Sequence, residues 1–464
     1  MVDGGAKKGR RERKRERRRV RGVREVATEG VPEGQVFRVH LLFFVRGQRV
    51  KKTAMAGWWY LGGAFLLLFG ILLAPYLFKM NLIKDLRIQG NSKMILANHL
   101  ESKKRKLGKL PPVYPNGWFA LLESFQLIRG QVKHVAALGE NFAAFRTDNG
   151  TVRILDAYCP HLGANMAEGG RVRGDCLECP FHGWQFRGSD GQCDYIPYAE
   201  KVPHIARTKT WKCCEANGII FVWYHAEGLE PTWQPQTVSN VSNRTWRYQG
   251  RNEYLINCHI QEVAENGADT AHLSAVHGPA VLSNFIHPLA RIARHSWTNV
   301  GWTPHSSLSE NKSSEVDEKN NGDDMNHRAY TTLRHSLIIF EKYKLWHLDV
   351  YVQQIGPGYV EMMMETFFGP LCIFQTVTPM EPLLQKVVHV IYAPALLSPY
   401  ALIIFLGESL MFERDVAIWN RKKFEKKPLL VKEDRSIISY RRWYSQFYSQ
   451  RSPSYHSAMK SLQW

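Results

Sequence analysis

The sequence predicts an α+β protein with an N-terminal transmembrane helix, an all-β domain, and a domain that combines an antiparallel sheet with helices. Residues 54–78 are uncharged and mostly apolar, and residues 118–225 alternate in the manner of short strands. Residues 226–464 combine strand-like stretches with a helical segment near 258–276. A chain of 464 residues that is 44% hydrophobic can bury several cores, which excludes wholesale disorder.

Charge is concentrated at the N-terminal side of the chain. The formal net charge is +19, of which residues 1–25 carry +8 and residues 79–109 carry +7. Because the later part of the chain is nearly neutral, we expect contact with a membrane surface and no nucleic-acid partner. Residues 1–53 are predicted to be a basic, disordered tail, with acidic-lipid binding as the second interpretation.

The apolar segment at 54–78 is predicted to cross a membrane once. At 1.5 Å per residue, its 25 positions can span a hydrocarbon core of about 30 Å. Trp58, Trp59 and Tyr60 at one end and Tyr76 at the other are typical of interfacial aromatic residues. Lys and Arg flank both ends, so charge alone does not orient the helix.

After the apolar segment, residues 79–117 are predicted to be a linker, basic at first and then rich in proline (LPPVYPNGW). Strand-like texture begins at Trp118, with a hairpin signal at Asn149-Gly150. The polar run 305–327 is predicted to be a disordered insertion in the second domain.

One motif in the strand-rich domain has the composition of a metal site. Cys159-x-His161 is followed after seventeen residues by Cys179-x-x-His182. Each loop offers one thiolate and one imidazole. Two such loops facing each other supply two cysteines to one iron and two histidines to the other, which is the ligand set of a Rieske [2Fe-2S] centre.

A structural zinc site is the alternative, because Cys2His2 also suits zinc. Zinc sites usually group two cysteines and then two histidines, whereas each loop here is mixed. Cys176 and Cys193 lie outside the spacing and are interpreted as ordinary buried thiols.

The stretch resembles the Rieske domain, and Trp118 to Tyr224 corresponds to its full extent. Rieske electron carriers of respiratory and photosynthetic complexes also have one N-terminal membrane helix. They usually hold a disulfide between the cluster loops, where this chain has Ala164 and Phe181. An electron carrier would also have no use for some 240 further residues.

A second motif lies in the helical segment of the later domain. His272 and His277 would point about 140° apart on a continuous helix, so the helix must end between them if they share an ion. Gly278-Pro279 supplies a stop just beyond. Asp269, one turn before His272, is placed to hold that imidazole by a hydrogen bond.

Two histidines and a carboxylate form the facial triad of non-haem iron(II) oxygenases, which leaves positions open for O2. Taken alone, the spacing favours ordinary structural histidines. Together with the first motif, it resembles the ring-hydroxylating Rieske oxygenases, in which a helix-grip catalytic domain carries Asn-x-x-Asp-x-x-His-x4-His. The resemblance implies that His272 and His277 are iron ligands.

The third ligand should be a carboxylate in a late helix, and FERDVAIWNRK nominates Asp415 by the same resemblance. Glu413, Asp349 and Glu365 stay open as alternatives, as does a merely solvent-exposed Asp415. In the resembled oxygenases, the aspartate matching Asp269 bridges a Rieske histidine of one subunit, here His182, to an iron histidine of its neighbour. This implies a homotrimer.

Taken whole, residues 55–464 resemble the cholesterol 7-desaturase family, by the YPNGW linker, the two motifs and FERDVAIWNRKKF. The resemblance implies conversion of cholesterol to 7-dehydrocholesterol with O2. Electrons would come from NAD(P)H through a separate reductase, since the chain has no GxGxxG fingerprint. A Rieske hydroxylase of another hydrophobic ring is the alternative.

The expected substrate and the expected location agree. A tethered oxygenase suggests a lipid substrate, and the apolar stretch 391–406 (IYAPALLSPYALIIFL) is interpreted as pocket wall or interfacial contact, since it is short for a membrane span. Iron–sulfur assembly and NAD(P)H are cytosolic, so we expect the catalytic body to face the cytosol at the endoplasmic reticulum.

Overall fold

The computed structural model describes residues 68–70, 73–87, 106–280, 292–310 and 325–462. The chain divides into two compact units, residues 1–70 and residues 71–464. In the first unit the described residues, 68–70, are helical, and in the second unit residues 73–77 are helical. The basic tail, most of the predicted membrane segment, and residues 311–324 of the polar insertion lie outside the described residues.

The strand-rich part of the second unit contains three small antiparallel sheets. One sheet joins β2 (Gly117–Glu123), β11 (Cys213–Ala216) and β12 (Ile219–Tyr224). A second joins β3 (Val132–Ala137), β4 (Glu140–Arg146), β5 (Val152–Asp156) and β10 (Thr210–Trp211). The third, β6 (Arg171–Arg173), β7 (Cys176–Glu178), β8 (Gln185–Arg187) and β9 (Cys193–Tyr195), carries the metal-binding loops.

An eight-stranded sheet forms the later part of the unit. It contains β1 (Met80–Asp85), β13 (Trp246–Asn257), β14 (Ala293–Pro304), β15 (Arg328–Ile339), β16 (Tyr343–Ile355), β17 (Tyr359–Thr366), β18 (Gly369–Glu381) and β19 (Leu384–Pro394). The spatial order is β1-β13-β19-β18-β17-β16-β15-β14. Every neighbouring pair is antiparallel except β1 and β13, which are parallel.

Seven α-helices are described around these sheets: α1 (Ser239–Ser242), α2 (Ile260–Glu265), α3 (Thr270–Val276), α4 (His305–Glu310), α5 (Ser398–Trp419), α6 (Arg435–Tyr444) and α7 (Tyr455–Ser461). Short 3-10 turns lie at Ser124–Gln126, Met325–His327, Ala395–Leu397, Lys432–Asp434 and Ser445–Phe447. The helical segment predicted near 258–276 is therefore two helices, because the chain turns at Gly267 between them.

The central strands of the large sheet are covered on both faces. On β18, Phe374 packs with Trp118 and Phe221 of the small sheets, whereas its neighbour Ile373 packs with Phe405 of α5. Since successive side chains of a strand point to opposite faces, both faces of β18 must be apolar. This explains why residues 371–374 of β18 (LCIF) read as a continuous hydrophobic run rather than as an alternation.

A buried ion cluster joins the two parts of the unit. Arg251 of β13 donates from Nε to Glu123 of β2 at 3.0 Å, and it also contacts Glu253. Lys386 donates to the carbonyl oxygen of Leu121 at 3.0 Å. Burial is the largest influence on the Glu123 carboxyl and raises its pKa, while Arg251 opposes that change. These contacts fix the strand-rich part against the large sheet.

Part of the segment predicted as a linker, 79–117, forms a β-strand. Residues Met80–Asp85 form β1, an edge strand paired with β13 from Met80↔Gly250 to Asp85↔Leu255. Its burial alternates along MNLIKD, as in a half-buried strand. The basic residues of this segment masked the period-2 pattern, so the sequence prediction did not include a strand there.

The apolar stretch 391–406, interpreted from the sequence as pocket wall or interfacial contact, includes the first part of helix α5. The helical region Ala395–Trp419 is 25 residues long and apolar enough to cross a membrane. It also packs through Phe405 and Phe412 against β19 and β13 and carries the buried carboxylate of Asp415. A helix with these contacts is part of the domain, so we interpret it as a core helix with an apolar outer stripe.

Candidate metal centres

Two loops of similar construction hold the first motif. In one, Gly163 N donates to Cys159 O at 2.9 Å, and in the other, Gly183 N donates to Cys179 O at 3.1 Å. Both glycines have positive φ, +74° and +72°, which a side chain would disfavour. The loops therefore turn tightly and return the chain beside each cysteine.

The four predicted cluster residues lie together at the tip of this subdomain. The imidazole rings of His161 and His182 are 4.8 Å apart, and each is partly exposed. Cys159 and Cys179 are buried beneath them. Trp184 stacks on His161 at 4.6 Å and donates from Nε1 to Tyr198, which orients the His161 ring.

The cysteine pair has the electrostatics of a metal-binding site. The pKa of the Cys159 thiol is raised to about 12, mainly by burial and in part by the adjacent Cys179. Backbone N–H groups of His161 and Leu162 point at the Cys159 sulfur and oppose this shift. Two thiols held together under N–H donors fit iron of a [2Fe-2S] cluster, because bound metal would stabilise both thiolates.

No disulfide joins the cluster loops. All eight cysteines, each within the described residues, are unpaired. Phe181 is exposed on one loop and Ala164 is half-buried on the other. The arrangement lacks the extra covalent link expected of the membrane-bound electron carriers.

The second candidate centre lies where α3 ends beside α5. His272, His277 and Asp415 place one potential ligand atom each within 4.8 Å of one another. His277 follows Val276, the last residue of α3, as its C-cap, so its ring returns toward His272 with ring centroids 5.2 Å apart. Asp415 Oδ2 lies 3.2 Å from His277 Nε2.

The donor set of this centre fits a divalent iron. His277 Nδ1 is buried without a hydrogen-bond partner among the described side chains, as is common where a ring awaits another ligand. His272 Nδ1 contacts the main-chain carbonyl of Asp269, which leaves Nε2 of His272 available for a metal. Two imidazoles and one carboxylate are the ligands of a facial triad.

Asp269 holds His272 differently from the sequence expectation. Its carboxylate caps α3, with Oδ1 accepting from the backbone N–H of His272 at 3.2 Å. The imidazole contacts the Asp269 carbonyl oxygen instead. The difference arises because Asp269 is the N-cap residue, where a short carboxylate reaches the first-turn N–H groups more readily than a ring.

The alternative carboxylates lie elsewhere in the structure. Glu413 pairs with Lys84 at 2.5 Å, and Asp349 pairs with Arg334 at 2.6 Å. Glu365 is exposed near the end of β17. Of these candidates, Asp415 is the carboxylate that the structure brings to the two histidines.

Sequence reasoning missed an aromatic and imidazole layer behind His277. Trp297 of β14 lies 6.5 Å from His277, and His335 of β15 lies 4.5 Å from Trp297, both measured between ring centroids. His295 Nδ1 is 2.7 Å from His335 Nε2. Burial lowers the pKa of His295 to about 4 and of His335 to about 3, so both rings are neutral at pH 7. The His-x-Trp alternation on a strand was the available signal.

Two protein-family models match the parts of the chain that contain the two candidate centres. Residues 117–206 match the Rieske [2Fe-2S] domain, and residues 222–448 match the 3-ketosteroid 9alpha-hydroxylase C-terminal domain. The chain is 46% identical over 387 residues to the cholesterol 7-desaturase nvd of Xenopus laevis, covering 81% of each chain. The chain belongs to the cholesterol 7-desaturase family.

Other members and solved structures extend this assignment. The nvd protein of Drosophila melanogaster is 43% identical over 377 residues, covering 79% of this chain and 83% of its own. The crystal structure of dicamba monooxygenase bound to dicamba shares the fold, with a TM-score of 0.53 and 14% identity, over 72% of this chain and 97% of its own. This cholesterol 7-desaturase family member is thus a Rieske-type oxygenase, which uses a [2Fe-2S] cluster, mononuclear iron, O2 and NAD(P)H.

Proposed function

We propose that this protein removes one hydrogen from C7 and one from C8 of cholesterol to give 7-dehydrocholesterol, with O2 and with electrons from NAD(P)H delivered by a separate reductase. The observation that carries the proposal is the pairing of the cysteine–histidine loops with the His272–His277–Asp415 centre in a chain 46% identical to a cholesterol 7-desaturase. The domains proposed are 118–225 for the cluster and 226–464 for catalysis.

The residues of the two centres have distinct roles in this proposal. Cys159, His161, Cys179 and His182 hold the cluster, while His272, His277 and Asp415 hold the iron. When bound, the cluster supplies single electrons and the iron activates O2. The rings of His295 and His335, which burial keeps neutral at pH 7, add no positive charge behind His277.

We infer that the active enzyme is a homotrimer in which Asp269 connects His182 of one subunit to an iron histidine of its neighbour. Exposed apolar side chains surround the cluster tip, among them Leu162, Phe181 and Tyr198. Such a surface is suited to contact with a protein partner, either a neighbouring subunit or the reductase.

The protein is also proposed to be anchored in the endoplasmic reticulum membrane by residues 54–78, with the catalytic body in the cytosol. Phe78, Phe367 and Leu396 are 74%, 87% and 81% exposed, and with Leu77 and Phe368 they form what we name the apolar rim. Tyr76 Oη donates to the carbonyl oxygen of Leu396 at 2.9 Å, which joins the end of the anchor segment to the 3-10 turn before α5. An apolar surface at the end of an anchor suits contact with lipid.

Two measurements test the membrane proposal. Substituting Glu at both Phe367 and Leu396 should reduce labelling of the catalytic body by a photoreactive lipid, whereas Leu429→Glu, at another exposed position, should not. Equal labelling of both variants would contradict a role of the rim. Protection of the catalytic domain from protease in intact microsomes would overturn the cytosolic orientation.

The catalytic proposal is tested by sterol mass spectrometry of cells that express the chain and receive labelled cholesterol. A product two hydrogens lighter, with a conjugated diene and absent with His272→Ala, is expected. A product one oxygen heavier would instead support a hydroxylase, which the match to the 3-ketosteroid 9alpha-hydroxylase C-terminal domain favours as second candidate.

A further inference from the structure

A group of buried polar side chains lies between the large sheet and α5, apart from both metal centres. Asn252 on β13 is fully buried, and its directly opposite residue on β19 is His389, also fully buried. His389 Nδ1 lies 2.8 Å from Oε1 of Glu408 on α5. Directly paired residues of neighbouring strands share one face of the sheet, so these three side chains converge under α5.

Several atoms of this cluster lack the partners that buried polar atoms require. Both amide atoms of Asn252, Nε2 of His389 and Oε2 of Glu408 have no hydrogen bond to another described residue. A buried polar group without a hydrogen-bond partner destabilises the fold. An amide with a free donor and a free acceptor is matched by a group that can both accept and donate, and an alcohol is such a group.

The surroundings of the cluster suit a flat apolar molecule. Phe412 packs on His389 with ring centroids 4.7 Å apart, and Tyr254 packs on Phe412 at 4.9 Å. The same layer of the sheet continues through Ile391 and Ile373, both buried against α5. A single polar cluster in an apolar layer fixes the orientation of a bound ligand and favours ligands with a matching polar group.

The distance from the cluster to the iron centre fits a sterol. Glu408 and Asp415 are seven residues apart on α5, so they lie on nearly the same helix face and about 10 Å apart along its axis. In cholesterol, the C3 hydroxyl oxygen and C7 are separated by five bonds, roughly 6 Å in the extended rings. A sterol that lies along α5 with C7 about 4 Å from the level of Asp415 would therefore bring its hydroxyl to the level of Glu408.

We propose that Asn252, His389 and Glu408 form a hydroxyl-binding subsite that recognises the alcohol of the substrate and positions C7 at the iron centre. The inference rests on the proposed function, since it assigns one end of the same substrate. The three residues are positioning residues, because they contact the substrate away from the reacting carbons.

The test compares the binding of two sterols to the full chain loaded with both metals. Cholesterol and cholest-5-ene differ only in the C3 hydroxyl. The unsubstituted protein should bind cholesterol at least about tenfold more tightly than cholest-5-ene, because the hydroxyl pairs otherwise orphaned atoms. In Asn252→Leu, this ratio should approach one, mainly through weaker binding of cholesterol.

Two further variants keep the test informative. Glu408→Gln keeps the shape of the side chain and should also lower the ratio. Ser409→Ala is the matched control, because Ser409 is the next residue on α5 and its hydroxyl already pairs with Tyr254 at 2.5 Å; this variant should keep the ratio. The cluster's EPR signal and circular dichroism verify the fold of each variant.

The outcomes separate this inference from the proposed function. Conversion of cholesterol with equal binding of the two sterols would overturn the subsite alone, and it would mean that the cluster holds only water. Retention of the ratio in both Asn252→Leu and Glu408→Gln would overturn it as well. Failure of the unsubstituted protein to bind and convert cholesterol would overturn both proposals.

Discussion

Two carboxylates of α5 show how position on one helix separates their roles. Asp415 faces the interior and lies 3.2 Å from His277, whereas Glu413, two residues earlier, pairs with Lys84 at the edge of the sheet. Successive helix residues are rotated by about 100°, so a shift of two positions turns a side chain away from the centre. Asp415 is therefore the proposed iron ligand, and Glu413 on the same helix is a matched control for its substitution.

Replacing Asp415 should remove the mononuclear iron and leave the cluster intact. Asp415→Ala should lower the iron content from about three to about two atoms per chain, with an unchanged cluster EPR signal. Glu413→Ala should retain about three. Metal analysis of the purified proteins decides the matter, and full iron in Asp415→Ala would return Glu413 and Asp349 to consideration.

A second prediction at this scale separates the two functions of Asp269. Asparagine caps helices as well as aspartate does, so Asp269→Asn should keep α3, both metals and the thermal stability. It removes the negative charge of the carboxylate that we propose connects His272 to a histidine of the neighbouring subunit. We expect reoxidation of the reduced cluster by O2 in the presence of substrate to slow strongly in a single turnover. An unchanged rate would refute the bridging role.

At the scale of elements, α5 combines a packed face with an exposed apolar stripe. Phe405 is fully buried against the sheet, whereas Ile403, two residues earlier, is 58% exposed. Phe405→Ala should destabilise the fold by about 3–5 kcal/mol because it creates a cavity, whereas Ile403→Ala should change stability by less than about 0.5 kcal/mol. Thermal unfolding followed by circular dichroism measures the difference, and similar midpoints would contradict the assigned packing.

The start of α2 makes stability depend on pH. His259 is its N-cap residue, with Nδ1 accepting from Gln261 N and Nε2 contacting the carbonyl oxygen of Pro112 at 3.1 Å. Burial lowers the pKa of His259 from 6.5 to about 4. Because the unfolded chain binds the proton more readily, the stabilising contribution is present above pH 6.5 and is lost as the pH falls toward 4.

The size of this effect can be measured with one variant. Between pH 7 and pH 5, His259 should account for a loss of about 2 kcal/mol in the free energy of unfolding. His259→Gln should be less stable at pH 7 and less sensitive to this change of pH. Denaturant titrations at the two pH values provide the measurement, and parallel losses in both proteins would assign the effect to other groups.

At the scale of the whole molecule, the two metal centres lie in different parts of one unit that are joined by the Arg251 ion cluster. The buried contacts of this ion cluster hold the two parts together, as the proposed electron transfer between neighbouring subunits would require. The proposed trimer then places the cluster of one chain beside the iron of the next.

This arrangement predicts complementation between inactive variants. His182→Ala lacks a cluster ligand and His272→Ala lacks an iron ligand, so each alone should be inactive. Co-expressed in one cell, they should form mixed trimers in which an intact cluster faces an intact iron, and part of the activity should return. Mixing after separate purification, where subunits do not exchange, is the control; no recovery on co-expression would refute transfer between subunits.

The ligand types and spacing of the two candidate metal centres could be predicted from the amino-acid sequence alone. The mixed spacing of Cys159, His161, Cys179 and His182 is local, because each loop is short and each ligand pair is set by two or three intervening residues. The turn after Val276 that returns His277 to His272 was likewise predictable from the helix period. Residues close in sequence have few possible arrangements, so spacing alone constrains their chemistry.

Contacts between residues that are distant in sequence could be seen only in the folded structure. It brought Asp415 to the histidines while pairing Glu413 with Lys84, and it placed Asn252 opposite His389 beneath Glu408. It also turned part of the predicted linker into β1 and put Asp269 at a helix cap. The register of strands and the rotation of a packed helix set these contacts, and both depend on the whole core rather than on neighbouring residues.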